Sequence, residues 1–405
     1  MHCGELDKDL AVQKFQEYLK IKSVHPDPDY ASAVTFLERY AKELQLDVKR
    51  IEVGANRREI IVMTIPGKDP SLPSILLNSH TDVVPVFLEH WKYDPWAAVK
   101  DDKRDIYGRG AQDMKCVGIQ HLEAIRVLKV IRKESFQRTI HISFVPDEEI
   151  NGGQLGMKLF LDTAEFKALN IGFALDEGLA NPDNKYSVFY GERSPWWVRV
   201  KCHGNPGHGS RFIPNTAAEK LHKVINAFLS FRSSEESRLN GDSCMFLGDV
   251  TSVNLTMLEG GVQPNVVPEE FIATFDIRIP PSVDLNAFED KITSWCKEAG
   301  DDVTFEFLSK NKNQKTTSTK EDNPWWTAFA GVLQRRGVEI VKEIFPAATD
   351  GRFLREIGYP VIGFSPMRNT PILLHDNNEF LNEEIFLEGI EVYCELLPAL
   401  ANLKM

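Results

Sequence analysis

Five side chains that can bind metal ions lie in separate short polar motifs of this chain. In four of these five motifs, a strand-like apolar stretch ends in residues that carry charge or a ligating nitrogen. A parallel sheet gathers the ends of its strands at one edge, so side chains far apart in sequence can meet there. We therefore expect them to converge on one site. They are His80 in LLNSHTDVVP, Asp113 in GRGAQDMK, Glu149 in SFVPDEEI, Glu177 in FALDEG and His375 in LLHD.

Two imidazoles and three carboxylates form a ligand set that suits a pair of divalent cations, with zinc favoured. Such a pair shares a bridging carboxylate and a bridging water when the ions lie about 3.5–4 Å apart. The sequence thus predicts a two-metal hydrolase. Each motif also has a simpler interpretation, since a single His after an apolar run is usually a surface residue and an acidic run is usually a solvated turn. The conjunction of the motifs favours the metal site.

Neighbouring residues strengthen this interpretation. Asp82, two residues after His80, can lie on the same side of an extended segment and accept the proton of the second imidazole nitrogen. The acidic run 147–149 follows TIHISFV, a buried-strand pattern, where three carboxylates are unfavourable unless a cation balances them. Adjacent side chains of an extended segment diverge, so Glu148 and Glu149 cannot have the same role.

The order of the elements predicts an α/β fold with an inserted domain. Up to about residue 188, helical and strand patterns alternate, which is typical of a mainly parallel sheet flanked by helices. Residues 189–310 instead read as the βαββαβ order of a ferredoxin-like α+β domain. Since His375 belongs with His80, residues 311–405 must rejoin residues 1–188 to form the catalytic domain. The predicted helices are 11–19, 33–44, 120–131, 217–231 and 285–299, and the predicted strands are 59–64, 75–77, 139–145, 171–175, 196–203, 252–258, 271–279 and 303–308.

Composition excludes several classes of protein. A chain of 405 residues is expected to form two domains, because single cores stop growing near about 250–300 residues. A net charge of -12 argues against nucleic acid or acidic membranes as partners. The N-terminus lacks the apolar segment of a signal peptide, and no apolar run is long enough to span a bilayer. We therefore expect a cytoplasmic enzyme.

The six cysteines show no paired spacing, so we expect reduced thiols, including Cys3, rather than a disulfide framework. Cys116, beside Lys115, could act as an activated nucleophile only with a base nearby. No base motif adjoins it, which disfavours this alternative.

The chain also resembles a known family, the glutamate carboxypeptidase-like zinc metallopeptidases, from about Phe15 to Leu397. Two of its motifs, ERSPWWV and PAATD, are closer to the aminoacylase branch of that family. Two departures are the stretch INGGQLGM, where a shorter VGG-type turn is expected, and Gly209 after His208, where Ala is commoner. The motifs that carry the resemblance are, in chain order, SHTDVVPV, GRGAQDMK, FVPDEE, ALDEG, ERSPWWV, NVVP, PAATDGR and LLHD.

The resemblance implies an enzyme that hydrolyses N-acyl-L-amino acids, with N-acetyl and other short acyl groups, to a free L-amino acid and a carboxylate. It also implies two Zn²⁺ ions per subunit. Glu148 is the implied general base, which activates the bridging water and later protonates the leaving amine. The implied ligands are Asp113 as the bridge, His80 and Glu177 on one ion, and Glu149 and His375 on the other.

Further residues are assigned by the resemblance to the substrate and to a homodimer. Asn265 and Arg278 match the site for the free carboxylate of the substrate, since Arg suits bidentate carboxylate recognition. A cross-strand salt bridge is the alternative for Arg278. Arg352 in TDGRF is a further anion contact. His208 of the inserted dimerisation or lid domain is implied to reach the active site of the partner subunit and to stabilise the oxyanion, so that subunits share their sites.

Two other functions remain open from the residues alone. A dipeptidase or another N-acyl hydrolase on the same scaffold would need an anchor for the free amino terminus of its substrate, and no further acidic motif is assigned to that. A non-catalytic metal-binding homologue would be favoured by loss of Glu148 or of a ligand, yet all six residues are present.

Overall fold

The chain folds into two structural units. The computed structural model describes residues 6–404, so Cys3 lies outside the described residues. The first unit consists of the chain up to Tyr190, Thr317–Lys342 and the segment from Thr349 onwards, and the second unit consists of Gly191–Thr316 and Glu343–Ala348.

The second unit differs from the expected insert, 189–310, by continuing to Thr316 and by including Glu343–Ala348. Arg193 of the second unit makes two hydrogen bonds to the segment Glu343–Ala348. Its backbone N–H donates to the Phe345 carbonyl at 3.1 Å, and its side-chain Nε donates to the Pro346 carbonyl at 2.7 Å. Such contacts join segments that are distant in sequence, so no local sequence pattern predicts them.

Each predicted helix and strand has a counterpart, and the helix predicted to end at residue 231 continues to Gly241. A π-helical stretch, Arg126–Ile131, extends the third helix. Within the described residues the helices are α1 (Lys8–Leu19), α2 (Tyr30–Glu43), α3 (Lys115–Ile125), α4 (Met157–Asp162), α5 (Ala164–Lys167), α6 (Ala217–Gly241), α7 (Leu285–Ala299), α8 (Pro324–Arg335), α9 (Gly351–Glu356) and α10 (Glu383–Ala401). The strands are β1 (Asp47–Val53), β2 (Arg58–Ile65), β3 (Ser74–His80), β4 (Asp105–Tyr107), β5 (Ile140–Val145), β6 (Ile171–Asp176), β7 (Lys185–Glu192), β8 (Ser194–His203), β9 (Gly207–His208), β10 (Ser252–Gly260), β11 (Val266–Val267), β12 (Glu270–Ile279), β13 (Val303–Lys310), β14 (Glu339–Phe345), β15 (Val361–Gly363) and β16 (Phe380–Asn382).

The first unit is built on an eight-stranded sheet with the order β1-β2-β5-β3-β6-β15-β7-β14, of which β7 and β14 belong to this unit up to Tyr190 and Lys342. The central strands β5, β3, β6 and β15 run parallel to one another. Outside this centre, β1 pairs with β2, β2 with β5 and β7 with β15 in antiparallel fashion. The predicted α/β fold class is confirmed, and its parallel strands are those in the middle of the sheet.

Helices cover both faces of this sheet. Ile61 and Met63 of β2 belong to a core shared with α1, α2, α3, α8 and α10. Ile60 and Val62 belong to another core, shared with α4, α5 and α9. Because successive side chains of a strand point to opposite faces, the sheet is buried on both sides. Burial on both faces accounts for the nearly continuous apolar runs of the parallel strands.

The second unit has the predicted ferredoxin-like arrangement. Its elements β8, α6, β10, β12, α7 and β13 follow one another in βαββαβ order, and its four-stranded sheet has the order β10-β12-β8-β13 with antiparallel pairs. Trp196 and Val198 of β8 pack into a core with Phe228 of α6 and Phe288 of α7. The unit therefore has a hydrophobic core of its own.

In the part of the chain that the structure describes, the cysteines at positions 116, 202, 244 and 296 are free thiols, and Cys394 Sγ donates to the Ala124 carbonyl at 3.9 Å. Burial holds the pKa of the Cys116 thiol well above its ordinary value, which removes it as a nucleophile at neutral pH. In residues 6–404, no helix combines the length and the apolar character needed to cross a bilayer.

The buried His121 of α3 makes folding sensitive to acid. Its ring packs edge-on against Tyr393 at a centroid distance of 4.4 Å, and neither ring nitrogen has a hydrogen-bond partner among the described residues. Burial lowers the pKa of this imidazole from 6.5 to about 3. The unfolded chain therefore gains a proton below about pH 6.5 that the folded chain does not bind, and stability falls as the pH is lowered toward the folded pKa.

We expect the substitution His121→Leu to flatten the pH dependence of the free energy of unfolding between about pH 6.5 and pH 5. One imidazole contributes about 1.4 kcal/mol per pH unit in this window, or about 2 kcal/mol in all. Urea titrations of both proteins at several pH values measure the effect. Parallel pH profiles for the two proteins would contradict it.

Candidate metal centre

Three of the expected ligands come from the carboxyl ends of neighbouring parallel strands. His80 is the last residue of β3, Glu149 follows the end of β5, and Glu177 follows β6 directly. In the sheet β3 lies between β5 and β6, so the three strand ends are adjacent. This is the edge at which open α/β sheets bind their ligands.

The other two expected ligands come from segments without regular structure. Asp113 lies in the turn before α3, and His375 lies in the loop between β15 and β16. His375 has a left-handed backbone conformation, with a φ of 61°. Since neither residue belongs to a strand, the hydrogen bonds of its loop determine its position.

Asp113 lies between the two histidines. Its Oδ1 is 2.9 Å from His80 Nε2, and its Oδ2 is 3.1 Å from His375 Nε2. Two further carboxylates approach the same nitrogens. Glu149 Oε2 is 2.9 Å from His375 Nε2, and Glu177 Oε2 is 3.6 Å from His80 Nε2. The structure thus brings together all of the residues expected as ligands.

Glu148 lies in the same cluster. It forms one group with His80 and Glu177, in which potential ligand atoms lie within 4.8 Å of one another. A second group of this kind consists of His80, Asp113 and Glu149. The two adjacent glutamates therefore belong to different groups, as their divergent side chains require.

The carboxylates of this cluster repel one another. Burial, and then the charge of Glu177, hold the pKa of Glu148 well above its usual range. Burial and the charge of Asp113 do the same for Glu177. For Glu149, burial and Asp113 raise the pKa to about 7. Crowded buried carboxylates of this kind are relieved by protons or by cations.

The pKa values of the two imidazoles are raised as well, because nearby carboxylates favour their charged form. Hydrogen bonds to Asp113 and Glu149 raise the pKa of His375 to about 10. Burial opposes a rise at His80, but Glu177 and Asp113 outweigh it and raise the pKa. Burial likewise opposes the shift at Asp113, yet both histidines hold its pKa below the ordinary value. The cluster therefore favours positive charge at each end of Asp113, which divalent cations can supply.

The surroundings of one buried carboxylate oxygen indicate whether these residues fit a cation. Glu149 Oε1 has no hydrogen-bond partner within the part of the chain that the structure describes. A buried carboxylate oxygen without a donor is unfavourable, and coordination of a cation would satisfy it. The donor set of imidazole nitrogens and carboxylate oxygens is one that zinc accepts. The residues present fit such an ion.

Asp82 differs from its expected arrangement. The second imidazole nitrogen of His80, Nδ1, is 2.9 Å from the backbone carbonyl of Asp82 and 3.8 Å from its carboxylate. The carboxylate instead accepts the backbone N–H groups of Glu148 at 3.2 Å and Glu149 at 3.0 Å. The chain after His80 thus directs this side chain to the neighbouring loop, and Asp82 positions the acidic pair.

Residues outside the sequence motifs support this loop. His25 Nε2 is 2.8 Å from Asp82 Oδ2. Tyr30 donates its hydroxyl to Asp147 Oδ1 at 3.0 Å, and Arg58 forms an ion pair with the same carboxylate. Asp147, the first residue of the acidic run, therefore anchors the loop through its contacts with Tyr30 and Arg58. In the sequence, the acidic run 147–149 indicates that such contacts exist, because its three carboxylates must have different roles.

His208 and Asn265 lie together in the second unit. The two-residue strands β9 and β11 pair with His208 opposite Val266, and the Gly209 N–H donates to the Asn265 carbonyl at 2.8 Å. The side chains of His208 and Asn265 are both exposed. The Ser210 N–H donates to His208 Nδ1 at 3.2 Å, which leaves the ring proton of a neutral imidazole on Nε2. The pair can therefore present hydrogen-bond donors to a ligand.

Arg278 is bound by a carboxylate of its own strand. Its Nε is 2.6 Å from Asp276 Oδ1, and its Nη2 is 3.0 Å from Asp276 Oδ2. Trp197 Nε1 also donates to Asp276 Oδ2, at 3.0 Å. This pair within β12 takes the place of the cross-strand salt bridge considered from the sequence, because residues two apart on a strand share a face.

Arg352 is buried against the INGGQLGM loop. Its Nη2 donates to the Gly152 carbonyl, and its guanidinium lies over the Phe353 ring at 4.6 Å from the centroid. Gly153 of the same loop lies close to Asp350. A Cβ at position 153 would lie only 2.2 Å from Asp350 Oδ1 and would clash with it, so the loop requires glycine there. Arg352 therefore supports the loop, and its contact with a substrate anion stays a prediction.

Comparison with known proteins identifies similar sequences over nearly the whole chain. Residues 76–399 match the family model described as peptidase family M20/M25/M40. Aminoacylase-1 of Sus scrofa is 56% identical over 392 residues, which cover 97% of this chain and 95% of that protein.

Solved structures share the fold at low sequence identity. An M20 family metallo-carboxypeptidase from Sulfolobus solfataricus has a TM-score of 0.74 and 17% identity, and the match covers 96% of this chain and 99% of that one. A Bacillus subtilis protein described as a dinuclear metal binding peptidase from the M20 family has a TM-score of 0.66 and 15% identity, with coverages of 97% and 98%. These matches confirm the architecture of the chain.

Proposed function

This chain belongs to peptidase family M20/M25/M40, and we propose that it hydrolyses N-acyl-L-amino acids, with N-acetyl and other short acyl groups, to a free L-amino acid and a carboxylate. The observation that carries the proposal is a centre in which the buried Asp113 lies between the buried His80 and the half-exposed His375. Similarity to aminoacylase-1 over 97% of the chain supports the substrate class.

Two Zn²⁺ ions per subunit are the proposed cofactors. Binding of cations is supported by the mutual repulsion of the carboxylates and by Glu149 Oε1, which has no hydrogen-bond partner among the described residues. When bound, the ions supply Lewis acidity toward the acyl carbonyl and the attacking water. The proposed ligands are Asp113 as the bridge, His80 and Glu177 on one ion, and Glu149 and His375 on the other.

Glu148 is the proposed general base. Burial raises the pKa of its carboxyl, a direction that favours proton uptake at neutral pH. Asp82 holds the backbone of Glu148 and Glu149, so the two side chains keep their separate directions. Glu148 takes a proton from the attacking water and delivers it to the nitrogen of the leaving amino acid, while the amide C–N bond breaks.

Arg278 and Asn265 are the proposed anchors for the free carboxylate of the substrate. A guanidinium has five N–H donors, and Asp276 accepts from Nε and Nη2. Arg278 can therefore bind a second carboxylate while its pair with Asp276 persists. Asp276 would then also orient the guanidinium for bidentate recognition.

His208 is proposed to stabilise the oxyanion in the active site of the partner subunit of a homodimer. The Ser210 N–H at Nδ1 supports this role, because it directs the ring proton to Nε2. An exposed donor of this kind suits a developing negative charge. Each active site would then consist of residues from both subunits.

A steady-state comparison of substrates tests the proposed function. The three substrates are N-acetyl-L-methionine, the corresponding N-acetyl-methionine amide and alanyl-methionine. Of these, we expect N-acetyl-L-methionine to have the highest kcat/KM. The value for the amide should be lower by about 10–150-fold, because a charge-assisted hydrogen bond of about 1.5–3 kcal/mol is lost. Added zinc should restore the activity of metal-depleted protein. Faster cleavage of alanyl-methionine would identify a dipeptidase, and inactivity toward all three substrates with zinc would favour a non-catalytic homologue.

The adjacent glutamates should respond differently to substitution. We expect Glu148→Gln to keep both metal ions and lose nearly all turnover, because it removes the base and spares the ligands. Glu149→Gln, its matched control, should also weaken metal binding. Metal analysis of the purified variants distinguishes the two roles. Loss of zinc from Glu148→Gln alone would reverse them.

Two inactive variants should complement each other if subunits share their sites. We expect co-folded His208→Ala and Glu148→Gln chains to regain about a quarter of the wild-type activity, because random mixing makes about half of the dimers hybrid and each hybrid has one intact site of two. Loss of an oxyanion donor typically lowers kcat by about 10²–10³, which leaves a low background. Verified mixed dimers that stay inactive would show that His208 does not act across subunits.

A further inference from the structure

The segment 371–380 carries His375 and has no helix or strand before Phe380. An unsupported loop can adopt many conformations, and ordering it has an entropic cost. A metal centre needs its ligand atoms within narrow distance limits. The contacts of this segment with the turn 108–113, which carries Asp113, therefore decide how far apart the two ligands lie.

Glu379 of this segment binds the backbone of the turn. Its carboxylate is fully buried. Oε1 accepts the N–H of Gln112 at 2.6 Å and the N–H of Asp113 at 3.2 Å. Oε2 accepts the N–H of Gly110 at 2.9 Å. A side chain four residues after His375 thus holds the peptide group of Asp113 itself.

Gln112 makes the reciprocal contacts. Its Nε2 donates to the carbonyls of Pro371 at 3.0 Å and Phe380 at 2.8 Å. Its Oε1 accepts the N–H of Leu373 at 3.1 Å. Since Pro371 and Phe380 are the two ends of the segment, one buried carboxamide fastens the whole loop around His375.

Arg109 joins the two sets of contacts. Its Nη1 donates to Glu379 Oε2 at 2.9 Å, and its Nη2 donates to the His375 carbonyl at 3.3 Å. Its charge balances the buried carboxylate, which would otherwise be strongly unfavourable. The turn and the segment therefore hold each other through buried polar side chains on both sides.

We propose that Glu379 and Gln112 are positioning residues of the metal centre, which set the distance between Asp113 and His375 and thereby the affinity of the centre for its metal ions. The inference rests on the proposed metal centre. Both residues act through the backbone of the ligand-bearing segments, as partners of metal ligands commonly do.

Two buried residues of α3 provide matched controls for a purely structural role. Glu123 is a fully buried carboxylate that accepts a hydrogen bond from Arg126 Nε at 2.9 Å. Gln120 is a fully buried carboxamide that donates to the Phe386 carbonyl at 3.1 Å. Substitution of either residue disturbs a buried polar contact in the same unit without touching the contacts between the turn and the segment.

The experiment compares Glu379→Gln and Gln112→Ala with Glu123→Gln and Gln120→Ala. An amide at position 379 places a donor where backbone N–H groups require an acceptor. Metal-depleted proteins are titrated with Zn²⁺ against a chromophoric chelator, below the melting temperature of each variant. We expect Glu379→Gln and Gln112→Ala to weaken Zn²⁺ binding by about 10–100-fold. The α3 variants should keep the wild-type Kd even where their Tm is lowered.

Substitution of Co²⁺ for Zn²⁺ adds a readout of ligand geometry, since its visible absorption depends on the arrangement of the ligands. The bands should change in Glu379→Gln and Gln112→Ala but not in the α3 variants. Wild-type Kd and spectra in the first pair, or equal losses in all four variants, would overturn the positioning role. If Glu379→Gln does not fold, Gln112→Ala decides the question. A wild-type protein that binds no Zn²⁺ would instead overturn the metal centre itself and the inference with it.

Discussion

Buried negative charge at one edge of a parallel sheet is the constraint on which the first unit depends. The strands β3, β5 and β6 end side by side, and their ends present His80, Glu149 and Glu177 to one another. Carboxylates so close together raise one another's pKa, because burial removes the water that would screen them. Asp113 lies between two imidazoles, where one carboxylate can serve two cations. The surrounding loops are arranged to hold that geometry.

Buried carboxylates also fasten the loops that complete the centre. Asp82 accepts the N–H groups of the acidic pair, and Glu379 accepts N–H groups of the turn before α3. Each has a basic partner, His25 in the first case and Arg109 in the second. A carboxylate suits this purpose because it accepts several hydrogen bonds at once, and each buried group left unpaired costs about 1–3 kcal/mol. Acidic residues near the site thus serve two purposes, as proposed ligands and as anchors of backbone.

The second unit depends on a hydrophobic core rather than on buried charge. Its core lies between one face of an antiparallel sheet and two helices, so it can keep its shape independently of the metal centre. His208 and Asn265 lie outside this sheet, at the short ribbon of β9 and β11, where His208 ends β9 and Asn265 directly precedes β11. The ribbon fixes their spacing through the backbone while leaving both side chains exposed. An exposed, oriented pair of this kind suits the proposed role at a partner subunit, where a buried pair could not act.

The sequence by itself determined the fold class, the ferredoxin-like order of the insert and the set of residues that meet at the centre. These follow from local periodicity and from the chemistry of single side chains, which can be read along the chain. The outer strands β1 and β14 were not predicted, because charged residues interrupt both of them and neither has a long continuous apolar run. Only the tertiary structure decided that the Asp82 carboxylate turns to the acidic loop, that Arg278 pairs with Asp276, and that Glu379 holds the turn at Asp113. A hydrogen-bond partner depends on where distant segments meet and on which side chain faces inward there, and no local pattern encodes either.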